Sequence, residues 1–219
     1  MKDESQVLPN GRIVRYTFHE RAVHWLAGFS YLYLLFTGLA FWSPWMFWMA
    51  VVLGGGTVSR DLHPWVGLVF VTATVLMYRM WASQMHKTDA DRGWDKALPQ
   101  YIRNEDEQVP PADKFNSGQK QLFWGFFWCG IALLVSGVIL WFTEYIPWSL
   151  RYLRYFAIIV HPVAALITIG LFMIHIYMGL AIEGGALHSI LHGDVSASWA
   201  RSFHRLWYDR IMGGSPARK

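Results

Sequence analysis

The chain has 219 residues, is 54% hydrophobic and only 16% charged, and carries a formal net charge of +4. Soluble chains average about 25% charged residues, so an ordinary water-soluble fold is disfavoured. The single cysteine, Cys129, excludes an internal disulfide, an iron–sulfur cluster and a thiolate zinc site.

The apolar residues are gathered into blocks. Stretches 22–59, 62–78, 122–143 and 155–182 contain no Asp, Glu, Lys or Arg. A bilayer core needs about 20 apolar residues of helix. Four such windows predict an all-α membrane protein, a four-transmembrane-helix bundle. A soluble bundle is the competing reading, and the absence of a polar stripe on these helices argues against it.

In chain order, a polar arm covers 1–21. It is not a secretory signal, because the first apolar run is too long and ends without a small-residue cleavage pattern. The first span is expected over 22–42 and stops at Ser43-Pro44, where proline removes a donor. Residues 45–53 read as an interfacial segment, since Trp favours the headgroup level, and Gly54-Gly55-Gly56 turns the chain. The second span is expected over 62–85. A long polar loop, 86–121, carries Pro99, Pro110 and Pro111, and ordered loops of that length are often functional. The third span is expected over 122–142, with an aromatic interface at 145–148, and the fourth over 153–182. Residues 22–182 thus form the transmembrane domain, and 183–219 a polar tail.

The basic pI of about 9.2 reads as topology and not as nucleic-acid binding. Sixteen of the nineteen Lys and Arg fall in the arm, the 86–121 loop with its borders, and the tail; only Arg60, Arg151 and Arg154 fall on the other side. Lys and Arg gather on the cytoplasmic side, so both termini are expected there.

Nine histidines are present. His19, His86, His188, His192 and His204 lie at edges, in the loop or in the tail, where most are expected to be solvated. His24, His63, His161 and His175 lie within or at the ends of the spans, where ionisable groups are costly and mark function. His161 and His175 are 14 residues apart, which is about 21 Å and nearly four turns of helix, so both face one way. Chain direction puts His24 level with His175 on the cytoplasmic side, and His63 level with His161 on the far side. Two imidazole pairs at two depths suit two b-type haems inside the bundle. Attachment as a c-type haem is excluded, because no Cys-x-x-Cys-His occurs. Iron with both axial positions filled by protein serves electron transfer and not oxygen chemistry.

A small residue follows each of the four histidines by four positions: Gly28, Gly67, Ala165 and Gly179. That is the same helix face, with room for a porphyrin plane; close helix packing is the alternative explanation. Pro64 is expected in a first helical turn, and Pro162 inside the fourth helix, kinking it. Haem propionates need cations, and Arg21, Arg79, Arg60, Arg151 and Arg154 are candidates, with interfacial anchoring as the other explanation.

These residues resemble the cytochrome b (gamma) subunit of membrane-bound formate dehydrogenase over roughly 12–208. The matching pieces are Arg21-Ala22-Val23-His24-Trp25, Leu62-His63-Pro64 with Gly67, and Lys114-Phe115-Asn116-Ser117-Gly118-Gln119-Lys120. His161, His175-Ile176-Tyr177-Met178, Val195-Ser196 with Trp199-Ala200, and Trp207-Tyr208 complete the set. Pro162 beside a ligand and the 13 tryptophans depart from the pattern. The resemblance implies that His24 and His175 hold the cytoplasmic-side haem, and His63 and His161 the periplasmic-side haem. It implies a quinone site, for menaquinone or ubiquinone, at Asn116, Gly118, Gln119 and His175; a helix N-cap is the plainer role for the Asn116 turn. It implies as partners an iron–sulfur (beta) subunit and a molybdenum- or tungsten-containing catalytic (alpha) subunit, besides membrane lipids. The location implied is a bacterial inner membrane.

Three other readings compete. Di-haem subunits of hydrogenases and thiosulfate reductases share the four-histidine frame. A histidine-based metal transporter would add carboxylates at the same depth, and the span centres have none. A structural anchor that has lost its haem would not need all four histidines.

Overall fold

The computed structural model describes residues 7–103, 105 and 108–213. Lys2, Arg218 and Lys219 of the basic count lie outside them. The order is β1 (Ile13–Val14), α1 (Phe18–Trp42), α2 (Trp48–Val52), α3 (Gly56–Trp81), α4 (Asp89–Trp94), α5 (Leu98–Ile102), α6 (Ser117–Trp141), α7 (Tyr152–Tyr177), α8 (Ala186–His192), β2 (Asp194–Val195), α9 (Ala197–Phe203) and α10 (Arg205–Ile211). Four helices are long and apolar enough to cross a membrane: Phe18–Trp42, Gly56–Gln84, Ser117–Trp141 and Tyr152–Ile182. Their outer faces expose large apolar groups such as Phe29, Trp65, Val135 and Ile167. That pattern suits lipid, since each helix satisfies its own backbone.

The long helices begin earlier than the uncharged windows suggest. The first starts at Phe18 and not at 22. Thr17 and Glu20 form a capping box there, with the Thr17 amide donating to Glu20 Oε2 at 2.7 Å and the Glu20 amide to Thr17 Oγ1 at 3.3 Å. The third element starts at Gly56, after a turn in which Gly54 and Gly55 adopt φ of +100° and +96°, a region L side chains rarely enter. Pro64 therefore lies inside α3 and not in its first turn. The charged Arg60 and Asp61 had set the expected limit; a helix that leaves the bilayer keeps its hydrogen bonds in water and carries charges easily. Pro162 lies inside α7, as expected. The last stretch, Met178–Ile182, is wound as π-helix, and the Glu183 amide bonds back to the Met178 carbonyl at 2.8 Å.

The chain divides into two compact units. The first comprises Met1–Arg21, Trp81–Trp124 and Phe172–Lys219. Arm, loop and tail, which the basic residues assign to one side, thus share one unit. The arm and tail pair as antiparallel strands, Ile13 with Val195 and Val14 with Asp194. Ile13, Val195, Trp199, Ala200 and Trp207 form a buried cluster, so the polar tail has a core of its own. The Leu206 amide donates to the Ala112 carbonyl at 3.0 Å, tying tail to loop. His204 is fully buried, against the expectation of a solvated side chain; its Nδ1 meets the Asp113 carbonyl at 2.6 Å.

The second unit comprises Ala22–Met80 and Gly125–Leu171. All four long helices contribute to it. Tyr31 of α1 packs its ring against Phe70 of α3 and Phe126 of α6 and donates to Thr168 Oγ1 of α7 at 3.3 Å. Trp65 of α3 meets Trp141 of α6 edge to face, ring centres 5.2 Å apart. Gly125 of α6 lets the Leu171 side chain of α7 approach to where a Cβ would sit 3.0 Å away.

Candidate functional site

Within the second unit, His63 of α3 and His161 of α7 come together, ring centres 6.4 Å apart and planes inclined by 60°. Two metal–nitrogen bonds of about 2 Å, plus roughly 1 Å from each nitrogen to its ring centre, amount to about 6 Å. A spacing of 6.4 Å leaves room for one metal ion between the two rings.

Each ring is held from behind by a hydroxyl. His63 Nδ1 lies 2.6 Å from Thr37 Oγ1, and His161 Nδ1 lies 3.0 Å from Ser136 Oγ. Both hydroxyls already donate their proton into their own helices. Thr37 Oγ1 donates to the Tyr33 carbonyl at 2.8 Å, and Ser136 Oγ to the Ala132 carbonyl at 2.6 Å. A hydroxyl has one proton and two lone pairs, so each, while bonded to its own helix, keeps a lone pair for the imidazole. With the imidazole proton on Nδ1, Nε2 would keep the lone pair that a metal needs. A glycine follows each hydroxyl. A Cβ at Gly38 would lie 3.8 Å from His63 Cε1, and one at Gly137 only 3.2 Å from His161 Cε1. The sequence reading missed all four of these residues. The signal was two hydroxyl–glycine dipeptides, Thr37-Gly38 and Ser136-Gly137, in otherwise apolar spans.

His24 belongs to the second unit and His175 to the first; His24 is half-buried and His175 exposed. A Cβ added at Gly28, Gly67 or Gly179 would meet no atom within 4 Å. Tight helix packing therefore does not explain these three glycines. Ala165 is half-buried on α7. Among the described residues, no three or more His, Cys, Asp or Glu converge on a metal position.

The arginine candidates separate. Arg60 and Arg79 are exposed, and Arg60 pairs with Asp61 at 3.3 Å. Arg154 donates from Nη2 to the Ile146 carbonyl and Arg21 from Nη1 to the Leu191 carbonyl. In both, Nε is buried with no hydrogen-bond partner among the described residues. Arg151 instead lies over the Trp148 ring, 4.8 Å from its centre, an interfacial contact.

In the first unit, Asn116 and Gln119 form a capping box at the start of α6. The Gln119 amide nitrogen donates to Asn116 Oδ1 at 2.9 Å and that of Asn116 to Gln119 Oε1 at 3.1 Å. The plainer N-cap role of Asn116 is thus present. Both side-chain amides then converge on a group the sequence reading left at the edge, Glu183. Asn116 Nδ2 donates to Glu183 Oε1 at 2.9 Å, and Gln119 Nε2 lies 3.0 Å from each of its oxygens. The Tyr101 hydroxyl donates to Glu183 as well. Burial pushes the Glu183 carboxyl up, against the opposing pull of Arg15 and of these hydrogen bonds. Gly118 has a packing role: a Cβ there would lie 2.9 Å from the Trp94 ring.

The chain is similar over most of its length to known membrane cytochromes. A family model described as prokaryotic cytochrome b561 matches residues 15–193. The formate dehydrogenase cytochrome b556(fdo) subunit of Escherichia coli K12 is 34% identical over 201 residues, covering 91% of this chain and 93% of that protein. The nitrate-inducible cytochrome b556(Fdn) subunit of the same organism is 30% identical, covering 91% of each. The cytochrome b556 subunit of formate dehydrogenase from Haemophilus influenzae is 30% identical, covering 90% of this chain and 82% of that one.

Proposed function

Because the chain belongs to the prokaryotic cytochrome b561 family, we propose that it is the membrane cytochrome b subunit of a formate dehydrogenase, an electron-transfer subunit of a formate:quinone oxidoreductase. The names of its relatives support formate over hydrogen or thiosulfate as the substrate of the complex. The single observation that supports the haem reading is the approach of His63 to His161, ring centres 6.4 Å apart, each with a hydroxyl at Nδ1.

Haem b supplies a one-electron iron couple. His63 and His161 hold one haem on the far side, and helix spacing and chain direction give the other to His24 and His175. Gly28, Gly67, Ala165 and Gly179 leave room for the porphyrins. Arg154 and Arg21, with their unpartnered Nε groups, are the better propionate partners; Arg60 and Arg79 are the weaker.

Electrons arrive from an iron–sulfur subunit on the periplasmic side, fed by a molybdenum- or tungsten-containing catalytic subunit. They leave to menaquinone or ubiquinone on the cytoplasmic side, at a site assigned to Asn116, Gly118, Gln119 and His175. There the two amides hold the Glu183 carboxylate, so a quinone carbonyl meets a polar, hydrogen-bonded wall. The charge bias supports cytoplasmic termini, in the bacterial inner membrane that the proposed complex occupies. The shared unit of arm, loop and tail supports a common side for both termini.

A reduced-minus-oxidised spectrum with a pyridine haemochrome count tests the reading. Two haems b per chain are expected, with one lost in His63→Ala or His161→Ala and the other in His24→Ala or His175→Ala. Well-folded protein without haem would refute it.

A further inference from the structure

We propose that Thr37 and Ser136 are positioning residues for the two far-side haem ligands, fixing their tautomer and tuning the iron they hold. The inference rests on the reading of His63 and His161 as ligands.

The two arrangements are built alike on different helices. Thr37 on α1 faces His63 of α3, and Ser136 on α6 faces His161 of α7. Thr37 is fully buried and Ser136 nearly so. A mid-helix hydroxyl bonded to the carbonyl four residues back is satisfied already. Neither side chain needs the histidine for its own sake. His63 Nδ1 has Thr37 Oγ1 beside it, and His161 has Ser136 Oγ together with the Leu133 carbonyl. A buried imidazole N–H without an acceptor carries a penalty of about 1–3 kcal/mol, and the surrounding spans offer mostly apolar side chains.

The consequence for the metal is directional. An acceptor on Nδ1–H orients the ring and makes Nε2 a stronger donor. A stronger donor stabilises ferric over ferrous iron and lowers the midpoint potential. Glycine at 137 allows this from close range, because a Cβ there would lie 3.2 Å from His161 Cε1; at 38 a Cβ would make ordinary contact, 3.8 Å from His63 Cε1.

The test uses the full chain in its complex, with Thr37→Val, which keeps the volume and removes the acceptor, and Thr37→Ser, which restores it. Ser136→Ala reports independently from the other ligand. Redox titration and low-temperature EPR are read on both haems. Thr37→Val and Ser136→Ala are expected to raise the potential of one haem and to shift its low-spin signal, leaving the other haem at wild-type values. Thr37→Ser is expected to return both readouts. Loss of that one haem in Thr37→Val, with recovery in Thr37→Ser, also supports the positioning role. Wild-type potentials and EPR in both Thr37→Val and Ser136→Ala would overturn it. Two haems retained in His63→Ala would instead overturn the ligand assignment beneath it, so the two failures are separable.

Discussion

His204 Nδ1 lies 2.6 Å from the carbonyl oxygen of Asp113, joining the tail to the loop inside the first unit. The ring is fully buried, and burial holds its basicity well below the ordinary histidine range, with Arg15 pressing the same way and the Asp113 hydrogen bond opposing. A group depressed in this direction binds protons better when unfolded. Its contribution is complete above the ordinary histidine value of 6.5 and is lost as pH falls below it. His204→Ala should lower the stability of this unit by about 1–3 kcal/mol. It should also remove part of the acid sensitivity between neutral pH and pH 5. Thermal unfolding in detergent across that range, followed by protease release of the tail, checks both.

Glu183 should act with the opposite sign. Its carboxyl is pushed above 4.5 by burial, despite Arg15, Tyr101, Asn116 and Gln119. The folded state therefore holds this proton more tightly than the unfolded chain does. The associated stability is complete below 4.5 and is lost as pH rises through the raised value. Glu183→Gln should flatten that alkaline-going loss, and thermal midpoints measured against wild type would show it. A parallel pH slope in the variant would mean that Glu183 does not titrate in this range.

Ile13 and Val14 make the arm part of the folded first unit. Ile13 is completely buried among Val195, Trp199, Ala200 and Trp207. Ile13→Ala should cost about 2–5 kcal/mol, and limited proteolysis should cut the tail faster. The haem held by His63 and His161 should be retained, which the haemochrome count reads directly.

The sequence showed the spans and the four histidines because membrane segments and intramembrane ionisable groups are strong signals in composition alone. Helix limits were less legible. At Thr17 and Gly55 they are set by caps and turns outside the apolar windows, and charge-free runs do not report those. Glu183 and His204 were hidden for another reason. Both are polar residues in polar segments, and only the pairing of arm, loop and tail buries them. Thr37 and Ser136 were invisible because a single hydroxyl in an apolar helix bonds its own backbone; the imidazole beside it comes from another helix.

Arg154 and Arg60 provide a paired test of the far-side cations. A buried positive charge near a haem favours the reduced state, and its removal lowers the potential; exposed charges are screened. Arg154→Gln should therefore lower the midpoint of the haem at His63 and His161, the reverse of Thr37→Val. Arg60→Gln, already exposed and beside Asp61, should leave it unmoved. Equal shifts from both variants would assign neither arginine to a propionate.

Gly38 and Gly137 separate steric from electronic effects at the ligands. At Gly38 an added methyl would sit 3.8 Å from His63 Cε1, ordinary contact; at Gly137 it would sit 3.2 Å from His161 Cε1, too close without movement. Gly38→Ala should be tolerated, with spectrum and potential near wild type. Gly137→Ala must displace the imidazole or the helix, and overpacking of this kind costs about 1–3 kcal/mol. The displaced ring would lengthen the contact from His161 Nδ1 to Ser136, so the low-spin EPR signal should broaden and one haem should be lost more readily on heating. Ser136→Ala should shift the potential without that heat sensitivity, because it relieves crowding while it removes the acceptor. Haem loss that is equal in Gly38→Ala and Gly137→Ala would mean that the close approach at His161 is not what sets ligand position.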